Sequence, residues 1–234
     1  HAKAEELDMN FLTLVILTKS YKKTGLCVAG KEVFKRKDGQ GIEDDWEAGS
    51  WIRLVTSDQN RGGAIQKSQL CYGRGKYVEL FDVVKVQTLG PMPTQDKREN
   101  HLIPGQSIWE KVGNWRKSKL NKLIDYPDNI WLDPEDDRYA KDVINPDYFL
   151  NNSNGSLCLI EPEGLRIRLK YYTNTFTCRP TKDIRAEFKY NGKKYILKIT
   201  DPVVIKIFDN KYPGLDAGTK IFELEKKYKL CISI

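Results

Sequence analysis

The most regular alternation of apolar and polar residues lies in the second half of the chain. Leu165, Ile167 and Leu169 alternate strictly with Arg166, Arg168 and Lys170, the period-two pattern of a strand with one buried and one solvated face. Ile184, Ala186 and Phe188 alternate in the same way with Arg185, Glu187 and Lys189. Next comes Tyr190-Asn191-Gly192-Lys193, a hairpin signal, because Asn-Gly readily takes the positive φ angles of a two-residue type I′ turn. A turn at Asn191-Gly192 predicts the register. Phe188 faces Tyr195, Ala186 faces Leu197 and Ile184 faces Ile199. On the other face Lys189 lies opposite Lys194, and Arg185 opposite Lys198. Like charges directly opposite cost roughly 0.2–1 kcal/mol per pair, and Glu187 between them offsets only part of this. Such a face is easier to understand if an anion sits on it.

The same reading extends along the chain. Strands are expected at 11–17, 27–34, 49–56 and 77–89, then at 157–161, 165–172, 175–178, 184–190 and 193–200, with two more at 205–208 and 228–234. Lys35–Glu47 and Asp58–Gly75 read as loops, and Asn151–Gly155 as a turn. Ser107 and Glu110 form a capping box, and Ile108, Val112, Trp115, Leu120, Leu123 and Ile124 give an apolar side, so a helix is expected there. Asp133-Pro134 reads as a second helix start, with Asp133 as N-cap and acids in the first turn. Strands, then helices, then strands imply an α+β protein dominated by β: two small barrels joined by a helical middle segment. The expected division is a tail at 1–10, a first barrel at 11–105, a helical connector at 106–150 and a second barrel at 151–234. The chain opens on His1, so the tail is expected to be foreign to the fold, with Met9 as the candidate native start.

The 234 residues and a 40% hydrophobic content suit a globular protein with a buried core. The formal net charge of +7 is compatible with a polyanionic partner without requiring one. Charge is concentrated locally: between Gly164 and Lys198 ten Lys/Arg stand against Asp183 and Glu187, with six aromatics interleaved. Five cysteines, Cys27, Cys71, Cys158, Cys178 and Cys231, show no CxxC spacing, which points to free thiols in a reducing, cytoplasmic setting. With only His1 and His101 beside them, no zinc site is expected. The longest apolar run, Leu14–Leu17, is far too short to span a bilayer, and no signal peptide is visible.

Certain runs resemble a known family. Leu17-Thr18-Lys19-Ser20 through Gly25, Cys27-Val28-Ala29-Gly30 with Glu32, and Gly49-Ser50-Trp51-Ile52-Arg53 are similar to the opening motifs of the dual OB-containing domain family. Arg98-Glu99-Asn100 and Pro127-Asp128-Asn129-Ile130-Trp131 resemble its middle. Arg185-Ala186-Glu187-Phe188, Tyr190, Gly192, Tyr195, Leu197 and Ile199-Thr200-Asp201-Pro202 resemble its last long motif. The resemblance runs from Phe11 to Ile234. It departs at Glu223–Tyr228, which is charged where a glycine-containing strand is expected. It implies two OB-type barrels in prokaryotic or phage-conflict settings and nucleic-acid binding, and no catalytic residue.

OB barrels bind single strands on a sheet face and adjoining loops, with positive charge and stacking aromatics. The candidate contacts are Arg166, Arg168, Arg185, Lys189, Lys194 and Lys198 for phosphates, and Tyr171, Tyr172, Tyr190 or Phe176 for bases. A second set, Lys19, Lys22 and Lys31, lies in the N-terminal strand-turn-strand. Trp51 and Arg53 share a strand face: Trp51 reads as core, which leaves Arg53 beside it or in need of a buried partner. Each set also has a plain reading as solvated surface, since lysines guard sheet edges. Glu43-Asp44-Asp45 and Asp133–Asp137 are the only dense acidic clusters, the kind of groups that a metal-dependent nuclease uses. Cys27 and His101 are the only Cys–His pairing apart from His1, and neither GxSxG nor GxxxxGK[ST] occurs. The leading expectation is a nucleic-acid-binding protein with no cofactor, no metal and no chemistry of its own. A nucleotide- or protein-binding sensor or adaptor is the alternative, and a protein partner remains compatible with either.

Overall fold

The structure is a computed structural model that describes residues 10–22, 24–35, 46–131, 146–152, 155–213 and 217–233. The helix start at Asp133, both acidic clusters and nearly all of the N-terminal tail fall outside these residues. The chain divides into two compact units, His1–Leu123 and Ile124–Ile234.

The first unit is built on β1 (Asn10–Lys22), β2 (Gly25–Lys35), β3 (Trp46–Val55), β4 (Cys71–Gly73), β5 (Lys76–Tyr77), β6 (Asp82–Thr88), β7 (Gly90–Pro91), β8 (Asn100–Leu102) and β9 (Trp109–Asn114). Seven of these form one sheet in the order β7-β8-β3-β2-β1-β6-β9. Alternation supplies its core: Leu14 and Ile16 of β1, Val28 of β2, Ile52 and Leu54 of β3 and Val84 and Val86 of β6 pack with Ile65, Leu70 and Trp109. Gly30 lets β1 and β2 meet at the bulge beside Ile16, since a Cβ there would lie 1.9 Å from the Val15 carbonyl oxygen.

The expected helix from Ser107 does not form. Trp109–Asn114 is β9, paired antiparallel with β6, and Lys117–Leu123 is a 3₁₀ helix. The Ser107 hydroxyl donates to the Gln87 carbonyl at 2.8 Å, and Gln87 N–H donates to the Ile108 carbonyl at 3.0 Å. The free edge of β6 thus competes for the backbone groups that a capping box would have served. Ile108 and Val112, counted toward an apolar helix side, are 54% and 41% exposed, while Trp109 and Trp115 are buried.

In the second unit β11 (Glu163–Thr173), β12 (Pro180–Tyr190), β13 (Lys193–Lys198) and β14 (Gly218–Glu223) form a sheet in the order β13-β12-β11-β14, while β10 (Leu157–Ile160) pairs with β15 (Leu230–Ser233). The Asn-Gly hairpin stands in the predicted register. Asn191 and Gly192 have φ of 48° and 77°, Phe188 faces Tyr195, and Ile199 N–H donates to the Ile184 carbonyl at 2.9 Å. Phe188 and Tyr195 stack with ring centroids 5.3 Å apart, and the Tyr195 hydroxyl accepts from Ile130 N–H at 3.2 Å.

Two α-helices occur among the described residues, α1 (Pro146–Asn152) and α2 (Pro202–Lys211). The strand expected at 205–208 is part of α2. Asp201 caps it, accepting from Val203 N–H at 2.7 Å and Val204 N–H at 3.0 Å, and Pro202 is its first residue. Ile205 and Phe208, three apart, pack on Ile167, Leu169 and Ile184, so the apolar run follows helical spacing. Asp201→Ala should destabilise the second unit by about 1 kcal/mol, read by denaturant titration, whereas Asp201→Asn should cost far less. The strand expected at 175–178 is instead the tip of the β11–β12 hairpin.

The chain is thus mainly β, but the expected helical middle segment is not shown and neither unit's strand order closes on itself among the described residues. No helix among them is long and apolar enough to cross a membrane.

Candidate functional site

Strand register sorts the second unit's charges onto one face. Across the four strands Ile221, Arg168, Arg185 and Lys198 form one row, and Glu223, Arg166, Glu187 and Ile196 the next. Lys170 lies opposite Thr219 on one side and Asp183 on the other, and Lys189 opposite Lys194. The Lys170 ammonium sits 5.2 Å from the ring centroid of Tyr172.

Much of the expected repulsion is relieved from within the face. Glu187 is only 4% exposed, and its Oε1 takes Arg166 Nη2 at 2.5 Å and Lys194 Nζ at 2.7 Å. Arg166 Nη1 lies 3.4 Å from Glu223 Oε1, and Arg185 Nε lies 2.6 Å from Asp183 Oδ2. The hydrogen bond from Lys194, with Arg166 adding to it against the cost of burial, holds the Glu187 carboxyl below the usual range. Glu187 in turn holds the Arg166 guanidinium above its ordinary value. Cross-strand repulsion therefore no longer argues by itself for an anion. The stronger feature is the row itself, in which Arg168, Arg185 and Lys198 stand side by side across three strands.

Two proposed stacking residues belong to the core side. Tyr171 packs with the Ile167, Leu169 and Ile184 cluster and donates its hydroxyl to the Tyr212 carbonyl. Tyr190 is buried with Phe188 and Tyr195. Strand parity explains both: Tyr171 falls on the odd, inward positions of β11, and Tyr190 on the inward set of β12. Tyr172, 37% exposed, is the aromatic on the charged face. Lys170 belongs with the candidate cations; its alternation with Leu169 was the signal, and Asp183 and Glu223 are the counter-charges that a count of basic residues overlooks.

In the first unit Arg53 leaves the candidate set. It is 2% exposed, its Nε and Nη2 lie 3.3 and 3.2 Å from Glu99 Oε1, and Nη1 donates to Cys27 Sγ at 3.1 Å. This is the buried partner that Arg53 needed. Trp51 is half-buried, with the Lys31 ammonium 5.5 Å from its ring centroid, and Lys31 is itself buried. Lys19 Nζ donates to the Val78 carbonyl at 2.5 Å. Lys22 pairs with Gly25 at the end of the β1–β2 hairpin. The side chains of Lys19 and Lys31 are thus engaged within their own unit. Tyr72 donates to Asp82 at 2.7 Å, and Lys111 pairs with the same carboxylate at 2.6 Å. Burial, and then Asp82, push the Tyr72 phenol up.

Cys27 is taken up by Arg53, and β3 lies between β2, which carries Cys27, and β8, which carries His101. Among the described residues no three His, Cys, Asp or Glu side chains gather as a metal site would require. The sequence profile of the dual OB-containing domain matches residues 12–234. No curated protein matches the chain. The matched span covers nearly all of both units, and the chain belongs to the dual OB-containing domain family.

Proposed function

We propose that this chain binds nucleic acid, single-stranded or structured, through the charged face of the β13-β12-β11-β14 sheet, without a cofactor and without chemistry of its own. The observation that carries this is the row Arg168–Arg185–Lys198 across three neighbouring strands of that face. Phosphates would lie on that row and on Lys170 and Lys189, with Tyr172 offering a ring beside them. OB-type units are general ligand binders, and oligonucleotides are a common class for them. The first unit supports an OB-type barrel. Its β6 continues into β7 after Leu89 alone, and β7 pairs with β8, which lies parallel to β3. A cytoplasmic setting in a defence or phage system fits the family resemblance and the five free thiols.

A second reading, a protein-binding adaptor, draws on α2, where Val203 and Ile207 are 62% and 55% exposed one turn apart. Oligonucleotide titration at two salt concentrations, with and without Mg²⁺, separates the two. Binding should weaken with salt by a log–log slope of about −0.7 per phosphate neutralised on a single strand. The double reversal Arg168→Glu with Lys198→Glu should lower affinity at least about tenfold and make the slope shallower by one to two contacts. Absent or salt-insensitive binding by the unsubstituted protein would defeat this reading and favour the adaptor. Metal-dependent degradation of the oligonucleotide would show a nuclease instead.

A further inference from the structure

The chain has two Asn-Gly pairs, Asn154-Gly155 and Asn191-Gly192, and Asn154 lies outside the described residues. An asparagine followed by glycine can react with its own backbone. The glycine carries no Cβ, so its nitrogen approaches the preceding carboxamide carbon without steric hindrance. Asn191 and Gly192 are both exposed, and a Cβ on Gly192 would meet nothing within 4 Å. The β12–β13 ladder ends at the Tyr190–Lys193 pair, so the Gly192 N–H stands outside the strand pairing. Water and base reach the turn freely.

The carboxamide itself is tied down. Asn191 Nδ2 donates to the Asp128 carbonyl at 3.0 Å and to the Pro127 carbonyl at 3.3 Å. Those carbonyls belong to a strap, residues 125–131, fastened to the second unit at three places. At its start Asp125 N–H donates to the Leu159 carbonyl at 2.7 Å, and Asp125 Oδ2 accepts from Leu159 N–H at 2.8 Å. Near its end Ile130 N–H donates to the Tyr195 hydroxyl at 3.2 Å. Asn191 is the fastening in the middle. The same two bonds hold the nitrogen that the reaction must expel.

We infer that Asn191 is a deamidation site, attacked by the Gly192 nitrogen, and that the strap carbonyls of Pro127 and Asp128 keep the reaction slow while they hold the amide. The bond from Gly192 N to Asn191 Cγ forms and the Cγ–Nδ2 bond breaks. The Gly192 proton leaves with Nδ2 as ammonia, and a cyclic succinimide remains. Water then opens the ring to aspartate or isoaspartate. Both products lose the amide's two donor hydrogens and gain a negative charge, so the strap loses its middle fastening. Isoaspartate also adds a backbone carbon to the two-residue turn that sets Lys189 opposite Lys194 and Arg185 opposite Lys198. The chemistry is independent of what the charged face binds.

Peptide mapping by mass spectrometry tests this on the full chain aged at mildly alkaline pH, beside a free peptide of residues 188–195. Asn191 should convert to aspartate and isoaspartate about 5- to 100-fold more slowly than the free peptide, the cost of releasing an amide from two hydrogen bonds. Tyr195→Phe removes the hydroxyl that anchors Ile130 N–H and keeps a ring against Phe188. It should speed conversion at Asn191 several-fold relative to Asn154. Asn191→Asp keeps a dipeptide suited to the turn, so its lower thermal transition should report the lost fastening. Conversion confined to Asn154 would overturn the site. Conversion of folded protein at the free peptide's rate, or an Asn191→Asp transition equal to that of the unsubstituted protein, would overturn the guarding role of the strap.

Discussion

Arg53→Ala is expected to cost the first unit about 3–5 kcal/mol, the range for breaking a buried ion pair by removing one partner. The loss is large because of what stays behind. Glu99 is 9% exposed and takes two of the guanidinium's nitrogens on one oxygen, so alanine strips two charge-assisted hydrogen bonds from a buried carboxylate. The pair also sits where β3 and β8 meet in parallel: Arg53 lies opposite Asn100, and its N–H donates to the Glu99 carbonyl at 2.9 Å. Thermal melting should show a fall of about 10–20 °C for a unit of this size. The double replacement Arg53→Met with Glu99→Leu should recover most of it, because an apolar pair of similar volume carries no desolvation cost. A single-variant loss under about 1 kcal/mol would show that the pair is not buried in solution. The double variant should also bind oligonucleotide as the unsubstituted protein does, since Arg53 lies inside its unit.

The second prediction has two readouts of opposite sign. Glu187→Gln should lower the stability of the second unit by about 1–3 kcal/mol, the range for hydrogen bonds to charged groups. It should also tighten oligonucleotide binding several-fold with a steeper salt slope, because Arg166 and Lys194 lose the carboxylate they share. A residue that only held the sheet together would lower both. The pH dependence follows from the depressed Glu187 carboxyl. In the unfolded chain it titrates near its ordinary 4.5. Its contribution is therefore fully present above that pH and is lost as pH falls through the lower folded value. Denaturant titrations should show the difference between the two proteins shrinking steadily below about pH 4.5. A difference that persists unchanged at pH 2 would rule out the ion pairs as its source.

How much was legible in the sequence depended on whether the local signal met a competitor. The Asn191-Gly192 turn had none, so its register and the inward set of Ile184, Ala186 and Phe188 stand as read. Ser107–Ile124 had every local helix sign, but the free edge of β6 offered hydrogen bonds that no windowed pattern can see. Asp201-Pro202 carries a helix start, but the apolar run Ile205–Phe208 is too short for its length alone to separate the expected strand from the helix that forms. At the candidate site the alternation placed the cations correctly on one face. What it could not show was pairing across strands. Arg166 meets Glu187 and Glu223 only once β11 lies between β12 and β14, and Arg53 finds Glu99 only through β8. Phe176 was legible as an aromatic, but not as one standing clear of everything else.

The parallel meeting of β3 and β8 also bears on how the chain folds. Arg53 and Glu99 are 46 residues apart in sequence, and the entropic cost of closing a loop rises with its length. The hairpins of the second unit can zip from tight turns such as Asn191-Gly192, each new contact close in sequence to the last. The first unit must hold β3 and the three residues of β8 together across a long loop before the ion pair can form. Contacts of long sequence separation slow folding. The seam between β3 and β8 therefore closes over a longer loop than the β1–β2 and β2–β3 pairings beside it.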